Sequence, residues 1–507
     1  MEKITEISDV LKKRELVNLR YWFHGNKNDV EKKGMELLEE LLKGKYEDDR
    51  ALSRKLFNRD PEPAYWRIKG KLAHLMADFL LVGEGRDKFE SEYLMETFDV
   101  RKKIQQADIL LKRGAYTPAV YLMNKSADLA EKWDLLYEKV FIYDLMATHM
   151  GTLHGKNVYE KYAEKYHKSL EEFNLYMKSK HYSQELEVPY AFFDLKEDGF
   201  KEKATKYIAE QKEAFAKTNS ANIGYYYLHT GATANRIMKN FTECIRFSEE
   251  LIELLKKKTE IYSDARLGMA YGQICQANLG LHDYKNALKA AQKSVELFSP
   301  ETVNELRAME LIFISAFHAG DLKLAEDIVK DAFNHPHLEM SNLDFSKWQY
   351  FKAQILFKKG NYVPSLNQLN KINILFRDKS GWIVGLKMLE MMNLVESGID
   401  YTLTYHRMDS MVQMLARQKD VFASKVWRVG TEEGMILTRI LAISKVIQTL
   451  LNKNSDFYLT KLECEKELKL LSEGKGDYDW NPAGLELSRF DVWFDKNCPK
   501  PITVKKG

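Results

Sequence analysis

The sequence predicts an all-α protein built from an array of helical hairpins. Three observations carry that prediction. The 507 residues include only 10 prolines and 26 glycines, and Lys, Glu, Leu and Ala are abundant, a composition rich in helix formers and poor in breakers. Hydrophobic residues make up 45% and charged residues 30%, which supplies a core and excludes a disordered chain. A corner pattern recurs through the middle of the chain every 38 to 43 residues, and a period of that size marks stacked supersecondary units.

Residues 1–85 precede the repeat and read as a helical head. Apolar periodicity predicts helices over Ile4–Phe23, Val30–Leu42, Arg50–Phe57 and Ala64–Leu81. A short helix, a turn and a longer helix also fit a helix-turn-helix outline. Six basic and two acidic residues lie between Arg54 and Lys71. Arg54, Lys55, Arg67, Lys69 and Lys71 are therefore the candidate nucleic-acid contacts. Against this, residues 1–110 hold 22 basic and 22 acidic residues, so a capping bundle with a solvated charged face is the favoured alternative.

Residues 86–417 carry the repeat. Lys112–Lys125 reads KRGAYTPAVYLMNK and Lys358–Lys371 reads KKGNYVPSLNQLNK. In both, a glycine ends one helix in a left-handed conformation and an aromatic fills the angle between helices. Pro118 and Pro364 sit in the first turn of the next helix, where no N–H is needed. The small residue that follows lets the helices approach. The corner residues are Tyr116, Tyr159, Phe200, Phe241, Tyr284, Leu322, Tyr362 and Tyr401. Tyr159 and Phe200 lack a small residue three positions on.

At these corners the chain resembles the tetratricopeptide repeat family. The best match is AYGQICQANLGLHDYKNALKAAQKSVELFSP, Ala270–Pro300, followed by AFHAGDLKLAEDIVKDAFNHP ending at Pro336. The resemblance is strongest over 222–376, with a longer period than the family's. It implies a right-handed α-solenoid of about eight hairpins, with a concave groove that binds proteins or peptides.

In that family the first helix of each hairpin lines the groove. Counting back from the corners gives Tyr226, His229, Thr233 and Arg236, then Met269 and Gln276, then Arg307 and Glu310, then Lys347, Tyr350, Gln354 and Lys358. This mixed polar and aromatic set suits an extended peptide. Members that hold chaperone C-terminal tails use Lys and Asn where this chain has His229 and Thr233, so that clamp is not expected.

Residues 418–507 read as a helical cap that must cover the last apolar face of the array. Gly434–Leu451 predicts an amphipathic core helix that carries Arg439 and Lys445. Trp480, Leu485, Leu487, Phe490, Trp493 and Phe494 are suited to the covering role. Asp477–Asn481 only brushes against a calcium loop, since Pro482 and Ser488 occupy its Gly and Glu positions. With Lys55-Leu56-Phe57 and the Trp480–Phe494 pattern, the layout is similar to bacterial helical-repeat proteins of comparable length, a resemblance that implies no activity.

Catalytic signals are missing. No phosphate-binding glycine loop, HExxH or nucleophile elbow occurs. His149 and His154 are five apart, off the one-turn ligand spacing, and His335 and His337 sit in a repeat-ending turn. Cys244, Cys275, Cys464 and Cys498 form no CxxC and suggest a reducing, cytoplasmic setting. No signal peptide or run of about 18 apolar residues is evident. The net charge of +3 does not advertise a polyanion or membrane partner. The expectation is a non-enzymatic scaffold that binds a protein or peptide, with no cofactor and no metal. A nucleic-acid-binding regulator with a repeat sensor is the alternative.

Overall fold

The computed structural model describes residues 19, 29–43, 48–57, 63–82, 92–191, 199–372, 382–398, 401–424, 432–484 and 486–498. Among these residues there are 23 α-helices and no strand. Two compact units divide the chain, Met1–Tyr162 and Ala163–Gly507.

The first unit begins with α1 (Asp29–Leu42), α2 (Asp49–Phe57) and α3 (Pro63–Val82). The predicted helix Ile4–Phe23 lies outside the described residues, apart from Leu19. Leu37, Leu38, Leu52, Tyr65, Leu72 and Met76 form the head's core. Tyr65 Oη and Lys69 Nζ donate to Asp49 Oδ1 at 2.5 and 2.7 Å, tying α3 to α2. Burial opposes ionisation of Asp49, but the bonds from Lys69 and Tyr65 outweigh it and hold the carboxyl at about 2. Next come α4 (Glu92–Lys112), α5 (Tyr116–Lys132) and α6 (Leu136–His154), each packed on its neighbour in sequence. The unit boundary falls within α7 (Lys156–Ala191).

The second unit continues with α8 (Phe200–Thr218), α9 (Ala221–Ile237), α10 (Phe241–Lys257), α11 (Asp264–Gly280), α12 (Tyr284–Glu296), α13 (Val303–Ala319) and α14 (Leu322–Phe333). After the five-residue α15 (Pro336–Met340) come α16 (Asn342–Lys358), α17 (Tyr362–Leu369), α18 (Trp382–Ser397) and α19 (Tyr401–Ser424). Consecutive helices pack on one another, so the unit is a stack of hairpins.

Seven of the eight predicted corner residues open a helix: Tyr116, Phe200, Phe241, Tyr284, Leu322, Tyr362 and Tyr401. The small residues three positions on, Ala119, Cys244, Ala287, Ala325, Ser365 and Thr404, are all buried. That burial is what lets two helix backbones come close. At the Phe200 corner the buried small residue is one step later, at Ala204. At the eighth corner α7 opens three residues early, at Lys156, and Tyr159 is 52% exposed. The left-handed residue before the turn is Gly114 at φ 78° and Gly360 at φ 77°. Lys239 and His282 take the same conformation, both at φ 59°, a tolerated but strained choice for a residue with a Cβ.

Close approach is tightest at Gly280, where an added Cβ would sit 2.2 Å from Cζ of the corner residue Phe241. Gly280→Ala is therefore expected to lose about 1–2 kcal/mol net, overpacking outweighing alanine's helical advantage. Urea midpoints check this. Phe241→Leu in the same chain should recover part of the loss, giving a double mutant milder than the sum of the singles.

The end of the unit holds α20 (Glu432–Asn452), α21 (Phe457–Glu463), α22 (Glu465–Glu473) and α23 (Phe490–Asn497). Trp480, Leu487, Phe490, Trp493 and Phe494 are buried here, as their covering role requires, and Leu485 lies outside the described residues. Arg439 is buried in the middle of α20. Its guanidinium donates to both carboxylate oxygens of Glu486 at 2.6 and 2.9 Å, to Asp491 Oδ1 at 2.9 Å, and to the carbonyls of Leu471 and Tyr478. Glu486 Oε1 also accepts the Phe490 backbone N–H. One buried arginine thus joins α20, α22 and the C-terminal segment. No described helix is long and apolar enough to cross a membrane.

Candidate functional site

Polar side chains cross-link first helices of neighbouring hairpins, α9 with α11 and α13 with α16. Arg236 Nε on α9 donates to Gln273 Oε1 on α11 at 2.7 Å, and Gln273 Nε2 donates back to Thr233 Oγ1 at 3.2 Å. On α13, Arg307 Nη1 donates to Glu310 Oε1 at 2.5 Å and to Asp344 Oδ1 of α16 at 2.7 Å. Lys347 Nζ of α16 returns to Glu310 Oε2 at 2.5 Å. Lys387 and Arg407 pair with Glu390 on the next hairpin, at 2.7 and 3.3 Å. Three of the links between neighbouring first helices join residues 37 apart (236 and 273, 307 and 344, 310 and 347), and another joins Thr233 to Gln273, 40 apart.

The Arg307 side chain keeps 46% of its surface exposed while its acidic partners are nearly buried. Partly exposed pairs of this kind add little stability. They do fix where the guanidinium and ammonium groups stand, which lowers the cost of ordering them around a ligand. Of the predicted groove residues, Arg236, Arg307, Glu310 and Lys347 belong to these cross-links. Gln276 is half-buried on α11, and Met269 is exposed on the same helix.

The remaining predicted groove residues are placed differently. Tyr226 packs edge-on to Tyr176, and His229 Nε2 lies 2.7 Å from Glu187, so the long helix α7 covers both. Burial raises the Tyr226 phenol, and the neighbouring Tyr176 adds to the rise. Thr233 is buried at the α9–α11 contact, where it receives Gln273. Tyr350 and Gln354 are a correction to the expected groove: Tyr350 is fully buried and Gln354 is 2% exposed. Gln354 Nε2 donates to Tyr350 Oη at 2.7 Å, and Ser488 Oγ donates to Gln354 Oε1 at 2.7 Å. The chain's own C-terminal segment therefore takes the Gln354 side-chain oxygen that a partner would meet, and Gln354 in turn holds Tyr350. Lys358 is exposed and holds its ammonium 5.5 Å from the Phe317 ring centroid.

That segment runs along the ends of several first helices. Lys239 Nζ bonds Asp479 Oδ2 at 2.9 Å. The His282 ring stacks on Trp480 at 5.6 Å and 3°. His318 Nε2 donates to the Pro482 carbonyl at 2.8 Å and meets Trp480 edge-on. Glu396 at the end of α18 accepts Trp493 Nε1 at 3.0 Å and Asn497 Nδ2 at 2.9 Å. Burial drives the His318 imidazole down to about 4, against a smaller opposing effect of the Pro482 carbonyl, so the ring is neutral near pH 7.

In the head, Arg54 and Lys55 are exposed on α2, and Arg67 and Lys71 are exposed on α3. Lys69 is engaged by Asp49 and lies 5.1 Å from the Trp66 ring centroid. Trp66 is 50% exposed while Tyr65 beside it is fully buried. Three of the five cations lie on α3 and two on α2, and Lys69 is held by a carboxylate of the head itself.

No group of three or more His, Cys, Asp or Glu residues that could hold a metal exists among the described residues. All four cysteines are free and buried. Burial pushes the Cys244 thiol up to about 11 and the Cys275 thiol up to about 12, far from thiolate nucleophiles at neutral pH.

Comparison with known proteins adds little. No family model matches the chain, and no curated protein matches it. Among solved structures, the crystal structure of the P58(IPK) TPR domain is similar to it, with 13% sequence identity and a TM-score of 0.20. The match covers 74% of this chain and 99% of that one. The hairpin architecture described above rests on the chain's own helices.

Counting back from corners missed Gln273, Asp344 and Glu187. For Asp344 the missing signal was the stagger between neighbours, since it lies three residues, about one helical turn, further from its corner than Arg307 does. The offsets of Gln273 and Glu187 from their partners differ, so no single stagger would have found all three. No local pattern announces the contact between Ser488 and Gln354, which are 134 residues apart.

Proposed function

We propose that the protein is a non-enzymatic scaffold that binds a segment of another protein across the first helices α9, α11, α13 and α16. Two sets of cross-links carry this, Arg236 on Gln273 between α9 and α11, and Arg307 and Lys347 on Glu310 and Asp344 between α13 and α16. They fix Arg236 beside an amide and the other two cations beside buried acids over four successive hairpins, a surface suited to an extended segment with acidic residues opposite Arg236 and Arg307. The C-terminal segment covers the α16 end of this surface at Gln354. Four unpaired, buried cysteines fit a reducing compartment such as the cytoplasm.

Native co-purification at low and high salt tests this reading. A protein partner retained at high salt and identified by mass is the expected result. Arg236→Glu combined with Arg307→Glu should weaken that partner about 10-fold or more, equivalent to at least about 1.4 kcal/mol, with helical content unchanged by circular dichroism. Recovery of nucleic acid that leaves steeply with salt would contradict the reading, because phosphate contacts release counterions.

A further inference from the structure

A cavity of about 50 Å³ lies between α18, α19, α20 and the turn at Trp480. Its apolar walls are Val384, Met388, Met411, Ile440, Ile443 and Trp480. The charged groups at its edge are already engaged. Arg439 is held by Glu486 and Asp491, and Asp479 is held by Lys239. A water molecule inside would find few of the polar partners it needs. At about 10–15 Å³ per water-sized centre, the space takes roughly three to five non-hydrogen atoms, the size of an isopropyl or isobutyl group. Two methionines in the wall can adjust to the shape of such a group. The group that fits is the size of one aliphatic side chain, which a longer ligand would place there and a free amino-acid amide can mimic.

We infer that this pocket receives a single branched aliphatic side chain, Val, Leu or Ile, from the partner segment. The inference rests on the scaffold reading above and adds a sequence requirement to the partner. The pocket lies on α18, which follows α16 in the series of first helices. The anchored side chain is therefore expected about one hairpin beyond the residues facing Arg307 and Lys347.

Methyl NMR on the full chain with ¹³C-labelled methionine tests the pocket directly, with N-acetyl-leucinamide and N-acetyl-alaninamide as probes. Leucinamide should shift the Met388 and Met411 methyl signals saturably, and alaninamide should act at least five-fold more weakly. Ile440→Phe fills the space and should abolish the shifts, while the Met309 signal on α13 reports an intact fold. Met388→Ala enlarges the space and should admit N-acetyl-phenylalaninamide. Absence of the leucinamide shifts, equal shifts with alaninamide, or undiminished binding by Ile440→Phe overturns the inference. With the partner in hand, a 10-fold loss in Ile440→Phe supports the pocket. Unchanged partner binding by Ile440→Phe, together with loss in the Arg236→Glu and Arg307→Glu variant, overturns the pocket and leaves the scaffold reading standing. Absence of any protein partner overturns both.

Discussion

Arg439→Ala is expected to lower the unfolding free energy of the second unit by about 3–5 kcal/mol, the range for breaking a buried ionic cluster by removing one partner. The guanidinium is 5% exposed, and it faces Glu486 and Asp491, 10% and 6% exposed. Without it, two carboxylates stay buried with no cation between them except Arg489, whose Nη2 reaches Asp491 at 2.6 Å. The carbonyls of Leu471 and Tyr478 lose a donor at the same time. The effect should spread to the cap, because Glu486 also anchors the start of α23 through the Phe490 N–H. Urea denaturation followed by near-ultraviolet circular dichroism reads both effects. Glu486→Ala added to Arg439→Ala should cost less than the sum of the two singles, because it removes one of the orphaned charges. A loss below about 1 kcal/mol would mean that water reaches this site and the cluster is not buried.

Lowering the pH from 6.5 to 4 should destabilise the second unit through His318. The ordinary histidine value is 6.5, and burial drives the folded-state value to about 4, with Lys358 and His282 as nearby cations. Between these values the unfolded chain binds a proton that the folded chain refuses. Stability therefore rises with pH across the window and is lost as pH falls through it. Two and a half units at 1.36 kcal/mol each give an upper size of about 3 kcal/mol. The residue at stake pins the C-terminal segment, since protonation works against the packing of His318 under Trp480, which Arg489 covers at 5.2 Å. Carboxylates paired in the folded state add their own loss toward the acid end of the window. The His318 contribution is therefore read as the difference in pH slope between the natural chain and His318→Asn. Identical slopes would show that His318 is not buried as a neutral ring.

The hairpin corners were legible because they are local. A glycine or other turn residue, an aromatic and a small buried residue sit within about five positions of one another, and each has its own steric reason. Tyr159 failed as a helix start where that set was incomplete, and Lys156 opened the helix instead. What lies against each first helix was not legible. Tyr350 and Gln354 stand at predicted groove positions, yet both are buried, and Gln354 is bonded by Ser488 from far along the chain. Tyr226 and His229 are covered by α7 through Tyr176 and Glu187. Arg439 looked like the polar edge of an amphipathic helix, and only the fold brings Glu486 and Asp491 around it. Helical periodicity fixes direction on one element, whereas exposure depends on elements that no short window contains.

Site-specific photocrosslinking tests the scaffold account most directly. A benzophenone amino acid in place of Gln276 on α11 is compared with one in place of the exposed Lys289 on the second helix α12 of the same hairpin. The account predicts that Gln276 captures one protein partner, that Lys289 does not, and that Arg236→Glu with Arg307→Glu abolishes the capture. Capture from Lys289 with none from Gln276 would contradict it, because the partner would then lie on the second helices rather than across the first.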